Sequence, residues 1–187
     1  MGTVVTEGDA TRGGDGMRGD DGTHGVDGSH GIGVAHGFDV SFVREVPITP
    51  AQLWQGWTDR ETLLRWFTPA PWVTTDAEID PRPGGIFRTE MRGPAGERNG
   101  GTGCVLEAVR DRRFVWTSAL GPGYAPVARP EVGFLFTAIL EFAPAPAGAT
   151  YRATARHTTQ ADADEHARMG FEAGWSAALA QLVALFG

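Results

Sequence analysis

The chain has 187 residues, 41% of them hydrophobic, and a formal net charge of −7. That length supports one domain with a real core, the acidic balance argues against nucleic-acid binding, and no apolar run approaches the roughly 20 residues of a membrane span. A lone cysteine, Cys104, excludes an intrachain disulfide and a cysteine-built zinc site, and a complete lack of lysine removes Schiff-base and P-loop lysine chemistry.

Residues 1–36 form the first predicted unit, a disordered glycine-rich tail. Glycine stands at every third position from Gly13 to Gly31. This is the collagen period without the proline that collagen needs, and almost nothing in the segment can be buried. His24, His30 and His36 alternate with Asp21 and Asp27. Weak metal binding there is the lesser alternative to a solvated tail, or to initiation at Met17 or later. No apolar h-region predicts a secretory signal. The single cysteine fits a reducing compartment, and the cytoplasm is the expected location.

The second unit, 37–187, carries the fold. "FDVSFVREV" (38–46) alternates and predicts a strand. Thr49, Pro50 and Gln52 form a capping signature for a helix over 50–57. Thr58 with Glu61 repeats it for a second helix over 59–66. Strands follow at 73–80, 85–92, 101–109, 112–119, 132–143 and 149–158. Their short connections predict an antiparallel meander. The loop 121–131 is too long for a tight turn and is expected to flank a pocket mouth.

A last helix is predicted from near Thr159 to about Phe186, roughly 25 residues and about 37 Å at 1.5 Å per residue. On a helical wheel Phe171, Trp175, Ala178, Leu179, Leu182 and Phe186 make a broad apolar stripe. Gly170, Gly174, Ala177 and Gln181 lie beside it. Small residues there serve either close packing against another element or a cavity bordered by Phe171 and Trp175. A helix so apolar must be packed on the sheet, which gives an α+β domain.

Four stretches carry a family resemblance. "ITPAQLWQGWTDRETLLRWF" (48–67), "PGGIFRTEM" (83–91), "GCVLEAVRDRRFVWT" (103–117) and "GFEAGWSAALAQL" (170–182) occur in the order found in bacterial homologues of the activator of the 90-kDa heat-shock-protein ATPase. The chain resembles this family, within the START-like (SRPBCC, birch-pollen-allergen-like) superfamily, over about 38–187. The resemblance implies a helix-grip fold, in which a curved antiparallel sheet wraps a long C-terminal helix and two short helices follow the first strand. It implies a cavity rather than any one reaction.

The residues themselves offer little catalysis. There is no Gly-x-Ser-x-Gly elbow and no His-x-x-x-His. His157 and His166 are expected at the surface, and Cys104 as an inert small hydrophobe. Arg88, Glu90 and Arg92 are expected to face water as an ion-pair ladder. Alternation from Phe87 turns Phe87, Met91, Cys104, Leu106, Phe114, Trp116, Phe134, Phe136 and Leu140 inward. The predicted ligand-binding set is Trp66, Phe87, Met91, Cys104, Leu106, Trp116, Phe134, Phe136, Phe171 and Trp175. No catalytic residue, metal ligand or cofactor is assigned. The expected function is binding of a small apolar or aromatic molecule between sheet and C-terminal helix. The alternatives are a co-chaperone-like module that docks a chaperone or other protein, and a cyclase- or dehydratase-like enzyme using Glu90, Arg88 or His157.

Overall fold

Strand β1 (Asp39–Val46) buries Phe42 and Val46 and leaves most of its other side chains outward. The computed structural model describes residues 38–187; the tail predicted for 1–36, with its histidines, lies outside the described residues. Helix α1 (Pro50–Thr58) opens with the expected box: Thr49 Oγ1 accepts from the Gln52 amide, and Gln52 Oε1 accepts from the Thr49 amide at 2.8 Å. Two donors that the helix cannot bond are thereby satisfied.

Helix α2 (Arg60–Leu63) is a single turn, shorter than the stretch 59–66. Its cap is Asp59, which accepts from the Thr62 amide at 2.9 Å. Thr58 instead closes α1 by donating its hydroxyl to the Trp54 carbonyl at 2.8 Å. An ionised carboxylate is the stronger acceptor of the two candidates.

The remaining strands are β2 (Val73–Ile79), β3 (Ile86–Arg92), β4 (Arg98–Val109), β5 (Arg113–Thr117), β6 (Leu120–Gly121), β7 (Ala125–Pro126), β8 (Phe136–Ala145) and β9 (Gly148–His157). Six of them join β1 in one seven-stranded antiparallel sheet in the order β1-β9-β8-β5-β4-β3-β2. The two-residue strands β6 and β7 pair only with each other, at the start of the loop expected at 121–131. The chain is α+β with a curved antiparallel sheet and helices on one face, as the helix-grip arrangement requires.

The C-terminal helix departs from expectation. It is two helices, α3 (Gln160–Arg168) and α4 (Phe171–Ala184). Gly170 separates them with φ 88°, a left-handed conformation that ends the first helix and that a side chain would resist. The 14 residues of α4 span about 21 Å.

The other glycines settle the packing question. A Cβ added at Gly174 would meet nothing within 4 Å, so Gly174 is not a close-packing device. The close approach occurs on α1, where a Cβ on Gly56 would sit 2.6 Å from Leu182 Cδ1 of α4. Gln181, from the predicted small-residue stripe, ties α4 to the 66–70 segment. Its Nε2 donates to the carbonyls of Trp66 and Thr68, at 2.8 and 2.9 Å, and its Oε1 accepts from the Ala70 amide at 3.1 Å.

The sheet edge at β2 is also tied. Arg60 Nε donates to the Ala77 carbonyl at 2.8 Å and its Nη2 reaches Asp76 at 2.9 Å. Arg88 meets the same carboxylate at 2.7 Å from β3. These two guanidiniums hold the Asp76 carboxyl down at about 2.

Candidate functional site

Directly paired residues of an antiparallel ladder share a face. Phe87 opposes Gly103, Val105 opposes Trp116, Phe114 opposes Leu140, and Phe136 opposes His157. All of these belong to the concave face toward the helices. Their rings meet those of α1, α3 and α4 in a closed circuit of contacts.

The centroid separations define it. His166 on α3 lies 5.2 Å from Phe136, Phe136 5.3 Å from Trp116, and Trp116 stacks on Phe87 at 4.6 Å. Phe87 lies 6.2 Å from Trp57 on α1, Trp57 5.9 Å from Trp175 on α4, and Trp175 5.1 Å from Phe171. Phe171 returns to His166 at 4.9 Å. Trp57, Phe87 and Phe171 are buried, whereas Trp175, Phe136 and His166 are half-buried.

Five predicted ligand residues, Phe87, Trp116, Phe136, Phe171 and Trp175, belong to this circuit. Trp66 backs it, 5.0 Å from Trp57, with its Nε1 donating to the Gly56 carbonyl at 2.9 Å. Phe134 stands outside Phe136 and close to both histidines. Met91 shares the concave face but lies near the far end of β3, opposite Asn99.

Cys104 and Leu106 need correction. Cys104 opposes Ile86 and Thr117, both on the convex face, and Val105 takes the inward place. The register shifts between Val105 and Glu107, leaving Leu106 unpaired at a bulge. A one-residue irregularity exchanges the faces of everything beyond it.

Sequence reasoning missed Trp57 and His166 as members. Trp57 stands in the helix predicted over 50–57, where a tryptophan packs on the sheet without marking a site. His166 had no signal on a polar helix. The two histidines, expected at the surface, lie together. His157 is 6% exposed. Its Nδ1 is 3.2 Å from the Phe38 carbonyl and its Nε2 3.0 Å from His166 Nδ1. Burial first, and the neighbouring His157 second, push the His166 pKa down to about 4. Alternation along β9 sends His157 inward, and α3 brings His166 over it.

Asp162, one turn before His166, is 7% exposed. Arg129 reaches it from the 127–135 loop at 2.6 Å, and this bond holds its carboxyl below the usual range. Arg88 and Glu90 lie on the convex face in the expected ladder, 3.1 Å apart, and Arg88 also meets Glu78 at 3.5 Å. Neither is in the circuit. Among the described residues no group of His, Cys, Asp or Glu is arranged to hold a metal ion, and no helix is long and apolar enough to cross a membrane.

Two buried indole N–H groups have no acceptor: Trp57 Nε1 and Trp116 Nε1. Trp57 neighbours the buried Tyr151 phenol, whose pKa is raised by burial and partly lowered again by that indole. Trp116 has no such neighbour among the described hydrogen bonds. Open depressions of about 500, 600 and 610 Å³ lie elsewhere, beside α1 and on the β2–β4 and β5–β9 surfaces. Of the circuit residues, none lines them.

A family model described as Activator of Hsp90 ATPase homolog 1-like protein matches residues 47–187. A crystal structure of a Nitrosomonas europaea protein superposes with a TM-score of 0.74 at 37% identity, over 79% of this chain and 93% of that one. One from Rhodobacter sphaeroides gives 0.70 at 23% identity over 80% and 92%. The AHSA1 protein of Silicibacter pomeroyi gives 0.57 at 20% identity over 79% and 96%. The last two show likeness of fold. Among curated proteins none matches the chain.

Proposed function

The chain belongs to the Activator of Hsp90 ATPase homolog 1-like family, and from that premise we propose that residues 37–187 bind a small apolar or aromatic molecule inside the ring circuit. The observation that carries this is Trp116 Nε1, a buried donor with no acceptor. A buried unpaired N–H costs about 1–3 kcal/mol. A ligand oxygen accepting from it recovers that cost, and the surrounding rings supply the apolar contact. Uncharged aromatic or apolar molecules with one acceptor fit this chemistry.

Trp57 lies against Trp175, so the ligand enters by displacing the half-buried Trp175 ring. The open space beside Gly174 receives it. Cys104, buried and unpaired, suits a reducing compartment, and the cytoplasm is the proposed location.

Native mass spectrometry of the purified full chain, with denaturing extraction of bound material, tests the reading. A reproducible extra mass that is lost in Trp116→Phe supports it. A clean apo mass, with no thermal stabilisation by a panel of apolar compounds, moves function to the outer surface. The chain would then be a co-chaperone-like interaction module.

A further inference from the structure

The His157–His166 pair has a direction. A carbonyl oxygen only accepts, so the proton between His157 Nδ1 and the Phe38 carbonyl sits on Nδ1. In the neutral pair, His157 Nε2 is then bare. The proton shared with His166 at 3.0 Å therefore belongs to His166 Nδ1. That leaves His166 Nε2 as a bare lone pair, with no bond to it from the described residues. Moving the His166 proton to Nε2 would set two lone pairs face to face, unless His157 took a second proton.

His166 thus accepts one hydrogen bond at Nε2 and donates none there. Its depressed pKa keeps it so at neutral pH. The ring sits against Phe136, which Trp116 also contacts. Three circuit members have open hydrogen-bonding capacity, the bare acceptor of His166 and the buried donors of Trp57 and Trp116, and of the two indoles Trp116 is the one in contact with Phe136. Of the charged neighbours, Arg129 bonds Oδ1 of Asp162, while Asp162 Oδ2 is buried without a partner.

We propose that His166 Nε2 is the specificity-determining acceptor of this site and takes the hydroxyl of an uncharged hydroxylated aromatic molecule, with His157 as its positioning residue. The inference rests on the circuit being a ligand site. A second polar atom of the ligand, an acceptor, meets Trp116 Nε1. A carboxylate offers only lone pairs to His166 and would lie near the buried Asp162 carboxylate one turn away on α3, so carboxylates are selected against.

The test uses two probes on the full chain, 2-naphthol and 2-methoxynaphthalene, titrated calorimetrically. Their rings match, but only the first donates. The natural protein is expected to bind 2-naphthol about tenfold tighter, the scale of one hydrogen bond. In His166→Phe and His157→Phe the ratio is expected to fall to near one. Equal affinity for both probes in the natural protein overturns the role of His166 and leaves the ligand site standing. Binding of neither overturns both. Nitrogen NMR of the imidazoles gives a readout without ligand: His166 protonated at Nδ1 is expected, and protonation at Nε2 alone overturns the proposal.

Discussion

Leu182 occupies the place where a side chain on Gly56 would begin: its Cδ1 and Cδ2 lie 2.6 and 2.7 Å from a Cβ built there. Leu182 is fully buried and has little room to give. Gly56→Ala is therefore expected to destabilise the fold by about 1–3 kcal/mol through overpacking. Urea denaturation reads this as a lower midpoint with unchanged slope. An unchanged midpoint would show that α1 and α4 can separate at no cost.

Gly174 predicts the opposite sign. It lies inside α4, its backbone is helical, and an added methyl meets nothing. Gly174→Ala is expected to stabilise by about 0.5–1 kcal/mol. Gly170→Ala is expected to destabilise by about 1 kcal/mol or more, because φ 88° is strained for alanine. Thermal unfolding of the two variants should move in opposite directions. If both lose stability, the open space beside Gly174 is not there.

Gln181 serves as both donor and acceptor for the 66–70 segment. Gln181→Glu keeps the shape but turns lone pairs toward two carbonyls. It should cost more than Gln181→Ala, itself about 1–2 kcal/mol. Equal losses for the two variants would argue that these bonds contribute nothing specific.

The His166 pKa fixes a pH window. Its folded value, about 4, lies below the ordinary 6.5. Between those values the unfolded chain binds a proton that the folded chain refuses, so stability falls as pH drops from about 6.5 to 4. The ring is partly exposed, so after solvent screening the loss is on the order of 1 kcal/mol. His166→Phe should flatten stability across that window and leave the steeper decline below it. There Asp76, held at about 2, loses its ion pairs as it protonates. A variant with the natural slope between pH 4 and 6.5 would assign the effect to another group.

Strand positions and the first helix were legible because alternation and capping are local signals. The inward set was read correctly where β3, β5 and β8 alternate without interruption. It failed at Cys104 and Leu106 because a bulge leaves no mark in composition. The break at Gly170 was hidden for a different reason. A glycine in an apolar helix suits an interior position or a left-handed end equally, and only the backbone angle separates them. His166 entered the site because α3 sets it against His157 of β9, a tertiary consequence that no window of α3 contains.

Arg60 gives the sheet a chemical terminator. Its guanidinium takes up the Ala77 carbonyl at the β2 edge, and the ladder is already out of step at Thr75, between Thr74 and Asp76. Polymerisation by strand addition needs two receptive ends on every unit. A side chain that occupies an edge carbonyl makes that end less receptive to an added strand. Removing one side chain, Arg60, is therefore expected to make the β2 edge more receptive to strand addition.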